Sequence, residues 1–126
     1  MSVTDPRPDN LNPSECRRVG EVLSRIGDKW TVMLIAELGE GPLRFNELRR
    51  RIEGVSQRML TLTLKNLERD GLVSRTVTPS VPPRVDYALT DLGRSMLQPV
   101  LALGQWAAAH IPAMDVARQR YDAAER

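Results

Sequence analysis

A chain of 126 residues is expected to form one domain with its own hydrophobic core. An apolar fraction of 41% and a charged fraction of 27% fit a soluble globular protein, and no apolar run reaches the roughly 18 residues that would span a bilayer. A single cysteine rules out an intrachain disulfide, and with a single histidine it argues against a zinc site or a histidine-based catalytic triad.

The net charge is only +2, but it is unevenly spread. Between Arg44 and Arg75 stand eight Arg/Lys and four Asp/Glu, whereas the first fifteen residues carry one Arg against three acids. A basic middle on a near-neutral chain points to an anionic partner at one face. Solubility alone is the competing explanation.

Residues 1–13 are polar, carry three prolines and read as a disordered tail, neither signal peptide nor anchor. A cytoplasmic location is expected. From Ser14, a plausible cap, Val19, Val22, Leu23 and Ile26 recur at helical spacing. Asp28 can cap the next helix, Trp30 to Leu38, which is apolar on nearly all sides and is expected to lie in the core. Gly39, Gly41 and Pro42 end it.

A short helix is expected from Arg44 to Ile52, with Phe45, Leu48 and Ile52 inward and Arg49, Arg50 and Arg51 towards solvent. After the turn Glu53–Val55, Ser56 caps a helix running to about Asp70, and Gly71 stops it. Two helices joined by a short glycine-containing turn are the signature of a helix-turn-helix. At 100° per residue, Leu60, Thr63, Leu64 and Leu67 share one side of the second helix. Arg58, Thr61, Leu62, Lys65 and Arg69 share the other. Arginine, hydroxyl and methyl groups are what a helix in the major groove needs. Ser56 and Gln57 sit at its N-terminus, where free N–H groups suit a phosphate. Leu62 is the odd member. It either touches a thymine methyl or packs against a neighbour.

Leu72–Thr78 and Arg84–Leu89 read as paired strands, and Pro79–Pro83 as their exposed tip. Arg75 and Arg84 flank that tip. Each either enters a minor groove or grips phosphate, or else pairs with Asp86 or another acid. Thr90 caps a final long helix to about Ile111, with a kink at Pro99 and a stop at Pro112. Residues 112–126 are left as a short helix or tail. The expected class is therefore α+β, mainly helical. It is a winged helix-turn-helix over 14–111 with N- and C-terminal dimerisation helices.

The last helix carries more apolar surface than one protomer needs. Leu92, Met96, Val100, Leu103, Trp106 and Ala107 form one stripe, which Leu97, Leu101, Gly104 and Ala108 extend to about 220°, well past the ~100° of an ordinary surface helix. Together with Val19, these residues are expected to form a homodimer interface, here taken as Val19, Leu97, Val100, Leu101, Leu103, Gly104, Trp106 and Ala108. Its small residues would permit close helix approach. The competing reading is a helix wrapped by the chain's own N-terminal segment. His110 is expected on the surface near a helix end, without a role.

The segments IGDKW (26–30), GPLRFNELRRRIEGVSQRML (41–60), LTLKNLERDGLVSRTV (62–77) and PPRVDYALTDLGRS (82–95), together with Cys16, carry a dense resemblance across residues 16–106. The chain resembles the HxlR family of MarR-like winged-helix bacterial transcription regulators. The resemblance implies a homodimeric DNA-binding regulator. It places Ser56, Gln57, Arg58, Thr61 and Lys65 on the recognition helix and Arg84 on the wing. Two departures are Arg17, where the family often has proline after its cysteine, and Leu62, where it usually has a polar residue. Some members sense oxidants or electrophiles through an N-terminal cysteine. In this chain Arg17 and Arg18 adjoin Cys16 and favour its thiolate, while Glu15 opposes them. The bland alternative is a small apolar residue at a helix start.

The expected partners are double-stranded DNA, a second copy of the chain, and a small-molecule or oxidant effector, with no membrane. A repressor acting on a pseudo-palindromic site is the expected function. No cofactor, metal or catalytic residue is expected, since phosphate-loop, nucleophile-elbow and metal-ligand spacings are missing. Two alternatives stand beside this reading: an effector pocket at a dimer cleft near Trp30 and Trp106, and an interaction module that has lost DNA binding.

Overall fold

A computed structural model describes residues 12–125, so most of the expected N-terminal tail lies outside the described residues. The first helix, α1 (Pro13–Ile26), starts one residue before the expected Ser14 cap. The cap is Asn12, whose side chain accepts from the Glu15 N–H at 2.8 Å, and Pro13 takes the first helical position. An Asn-Pro pair suits that place well, because proline lacks the N–H that a first turn leaves unpaired.

Asp28 caps α2 (Lys29–Leu38) as expected, accepting from the Trp30 N–H at 2.8 Å. Leu34, Ile35 and Leu38 are fully buried and form the centre of the core. The next element is a two-residue strand, β1 (Leu43–Arg44), that sequence periodicity had not separated from the helix after it. Two residues are too short to show alternation. Arg44 ends this strand and precedes α3 (Phe45–Arg51) rather than beginning the helix.

Ser56 caps α4 (Gln57–Arg69), accepting from the Met59 N–H at 3.0 Å. Leu60, Thr63, Leu64 and Leu67 are its buried face, as the spacing predicts. The hydroxyl of Thr63 is satisfied inside that face by donating to the Met59 carbonyl at 2.8 Å. Gly71 follows with φ of +77°, a conformation that suits the residue after a helix and that other L-residues rarely adopt.

The hairpin is β2 (Val73–Thr78) and β3 (Arg84–Leu89), paired from Val73↔Leu89 to Thr78↔Arg84. β1 adds to the other edge of β3, with Leu43 opposite Tyr87 and Arg44 opposite Asp86, so the sheet order is β1-β3-β2. Thr90 then fastens sheet to helix. Its hydroxyl donates to the Gly71 carbonyl at 2.6 Å and accepts from the Gly93 N–H at 3.0 Å.

The C-terminal region departs from expectation in three ways. The single long helix is two: α5 (Asp91–Ser95) and α6 (Leu97–Ala124), parted at Met96. Pro99 lies in the first turn of α6, where its missing N–H breaks no helical bond, so the break falls elsewhere. Pro112 does not stop the helix, which continues to Ala124. Alanines at 107–109 and good helix formers after it carry the helix through.

Candidate nucleic-acid interface

α4 crosses the molecule with its buried leucines inward, which fixes what faces out. Arg58, Lys65 and Arg69 are exposed, and Thr61 is half-buried beside them. Among the described residues neither Arg58 nor Lys65 has an acidic partner. Ser56 is engaged in capping, so its hydroxyl oxygen already holds one N–H. Gln57 accepts a long 3.5 Å bond from Arg49 Nη1, which ties the last turn of α3 to the first turn of α4.

Leu62 is 51% exposed. It lies on the border between this outward face and a groove of about 270 Å³ that separates α4 from the α1–α2 junction, a groove that Met59, Ile26 and Thr31 also line. The apolar side chain on the polar face therefore has apolar neighbours within its own chain. The Arg25–Asp70 ion pair at 3.2 Å joins the ends of α1 and α4 at the same groove.

The two wing arginines do not share the tip. Arg84 opens β3 at the tip and pairs through Nε with Asp86 at 3.0 Å. Arg75 stands opposite Tyr87, with Thr76, Val77 and Thr78 still between it and the tip. Side chains alternate faces along a strand, and Tyr87 is three positions from Arg84. Arg75 and Arg84 therefore lie on opposite faces of the ribbon. At the tip, Ser80 donates to the Pro82 carbonyl at 2.7 Å, and the Val81–Pro82 bond is cis.

Four polar residues near this surface were not singled out by the sequence: Arg44, Asn46, Arg49 and Arg50. The signal was present in the arginine run 49–51, which reads equally as an ordinary solvated face.

The residues expected at a dimer interface divide into two groups. Val100 is only 9% exposed and belongs to the core, and Leu97 and Met96 pack against that core. Their apolar character is used within the chain itself because the first turns of α6 lie on α2. Val19, Leu101, Leu103, Gly104, Trp106 and Ala108 are exposed. So are Ile111, Met114, Val116 and Tyr121, further along α6 than the expected interface residues. No residue of α1 is buried, so α1 does not wrap α6. Trp106 stacks on His110 with centroids 4.5 Å apart, and His110 Nδ1 lies 2.7 Å from the Trp106 carbonyl oxygen. His110 is thus in the middle of α6, not near its end. Trp30 is partly buried against the core, whereas Trp106 is exposed on α6. Cys16 is half-buried in the first turn of α1. Among the described residues no group of three His, Cys, Asp or Glu is placed to hold a metal ion, and no helix is long and apolar enough to cross a membrane.

Comparison with known proteins places this geometry. The HxlR-like helix-turn-helix family model matches residues 25–115. An uncharacterised HTH-type transcriptional regulator of Methanothermobacter thermautotrophicus is 48% identical over 84 residues, 67% of this chain and 64% of that protein. The uncharacterised HTH-type transcriptional regulator YtfH of Escherichia coli is 42% identical over 103 residues, 82% of this chain and 81% of its own length. Among solved structures, the redox regulator HypR in its reduced form superposes with a TM-score of 0.73 at 40% identity, covering 79% of this chain and 98% of HypR. These relatives are regulators, not enzymes. The described chain, with its helix-turn-helix and three-stranded wing sheet, belongs to the HxlR family of winged helix-turn-helix transcriptional regulators.

Proposed function

We infer that the protein acts as a homodimeric, sequence-specific DNA-binding repressor. The observation that carries this reading is the outward face of α4. It presents Arg58 and Lys65 to solvent with half-buried Thr61 beside them, and among the described residues neither Arg58 nor Lys65 has an acidic partner. In this reading α4 enters the major groove, and the wing at 78–84 reaches the adjacent minor groove or backbone. Arg84 exchanges its Asp86 partner for a phosphate on binding.

The dimer is supported by what the protomer leaves uncovered. α6 beyond Val100 and Val19, Val22 and Leu23 of α1 present apolar side chains to solvent, and large exposed apolar surface marks an interface. A two-fold dimer would set two copies of α4 about 34 Å apart on a pseudo-palindromic site. A cytoplasmic location follows from this reading.

Cys16 is the proposed redox switch. It lies on α1, one of the two helices proposed to form the dimer, and the similar protein HypR is described as a redox regulator. With one cysteine per chain, two thiols can join across the dimer as Cys16–Cys16′, giving two protons and two electrons to a thiol oxidant. Mixed thiolation or an electrophile adduct are the other available forms.

Fluorescence anisotropy on the protein's own upstream DNA against scrambled DNA tests the regulator. The preferred duplex should bind tighter, and the Cys16→Ser variant should keep that affinity after a mild thiol oxidant while the wild type loses it. Equal affinity for both duplexes would refute sequence-specific regulation. An oxidant response that survives in Cys16→Ser would remove Cys16 from the switch.

A further inference from the structure

A cleft of about 1090 Å³ lies between α3 and the wing. Its walls come from three elements. Arg44 stands on β1, Asn46 and Arg50 on α3, and Thr78, Ser80 and Arg84 on the wing. We propose that this cleft is a second phosphate-binding surface. In it Arg44 and Arg50, with Arg84, grip the DNA strand that runs between the groove read by α4 and the groove reached by the wing. The inference rests on the reading of the chain as a DNA-binding regulator and names a contact which that reading does not contain.

The argument begins with the arginine run. Successive helical residues diverge by 100°, so three consecutive arginines cannot serve one purpose. Arg51 turns back to Glu37 at 3.6 Å. Arg49 reaches Gln57 at the start of α4. Arg50 lines the cleft with no acidic partner among the described residues. Arg49 and Arg50 therefore form a basic path from the recognition helix into the cleft.

The opposite wall follows from sheet register. Arg44 lies directly across from Asp86, and Arg84 is two residues before Asp86 on β3. Positions opposite and two apart share a face of a sheet, so Arg44 and Arg84 project from the same side. That side is available only because β1 exists and pairs with β3. Arg44 donates its backbone N–H to Glu47 at 3.0 Å, which anchors the start of α3. Glu47 is thereby occupied, and it is the one carboxylate lining the cleft against three guanidinium groups. Asp86, opposite Arg44 on the same face, is held by Arg84.

A guanidinium binds phosphate through a fixed fork of donors, and the surrounding threonine, serine and asparagine can add neutral bonds. Such contacts carry no sequence information. They should therefore appear in the salt dependence on any duplex.

The test measures binding as a function of salt on scrambled and own upstream duplexes, with the full chain. The variants are Arg44→Gln/Arg50→Gln and Arg44→Lys/Arg50→Lys, each checked for an unchanged thermal midpoint. Each phosphate contact contributes about 0.9 to the slope of log K against log salt, so the Gln pair should lower it by about 2 per bound protomer on both duplexes. The Lys pair should keep most of the slope. A Gln pair that folds normally and keeps the wild-type slope would overturn the cleft as a phosphate site, and the preference for upstream DNA would then still stand on α4. A lowered slope in a protein with no preference for its upstream DNA would support the cleft and sink the specific regulator. No binding of either duplex by the wild type would overturn both.

Discussion

Arg58 and Lys65 stand two turns apart on the same exposed face of α4, and the proposed function gives them different tasks on a duplex. Arg58 is near the helix start, where side chains reach base edges, and its fork matches the two acceptors of guanine. Lys65 is a point charge on a flexible stem and suits phosphate. Arg58→Ala should therefore cost about 1–3 kcal/mol on the preferred site and relax the choice at one base pair per half-site. Lys65→Ala should weaken all duplexes alike. Competition against a panel of single-base-pair variants separates the two. Equal loss across the panel for Arg58→Ala would assign Arg58 to the backbone. Leu62 has apolar neighbours of its own in the groove beside α1, so it needs no thymine methyl to account for its place.

The elements divide by how their ends are marked. α4 and β3 lie where the sequence puts them because chemical signals bound them on both sides. Ser56 caps and Gly71 stops the first, while Pro83 and the Thr90 cap bracket the second. β1 carries no such signal, since a two-residue strand exists only through its pairing with β3, and that pairing is tertiary. The basic cleft depends on β1 and was hidden for the same reason. The arginines were visible, but not the face on which they meet. The α5–α6 break was equally hidden, because proline content suggested a kink at Pro99 while the two helices part at Met96. Close packing explains why α5 must be short and tightly placed. A Cβ on Gly93 would overlap the Leu72 carbonyl oxygen, so the helix lies against the backbone that enters β2. Gly93→Ala forces these elements apart and should destabilise the fold by about 1–3 kcal/mol. Thermal unfolding followed by circular dichroism would show a midpoint lower by several degrees. An unchanged midpoint would mean that α5 can move away from the sheet freely.

At the scale of the whole molecule, the protomer is built in two parts. α2, α3, α4 and the sheet enclose a core around Leu34, Leu38, Leu48, Leu60 and Leu64. α1 and most of α6 lie outside it and bury almost nothing of their own. A helix of 28 residues crossed by an internal proline has little reason to persist alone in water. Its apolar side chains supply the reason if a second copy covers them. Ile111 is the informative position, because it is exposed, it lies well past Val100 of the core along α6, and it sits next to the proline. Ile111→Glu would place two carboxylates near each other in a symmetric interface, where burial of unpaired charge is costly. Sedimentation should show the variant as a monomer at concentrations where the wild type is a dimer. The core should unfold as an intact unit, since Ile111 is not part of it. DNA binding should then fall most on the full pseudo-palindrome and least on a single half-site, because only the dimer links two recognition helices into one binding event. A variant that remains dimeric would place the partner elsewhere on α6 or on α1. A variant that loses half-site binding as well would show that α6 supports the recognition helix within one protomer, and the two-part description of the molecule would have to be abandoned.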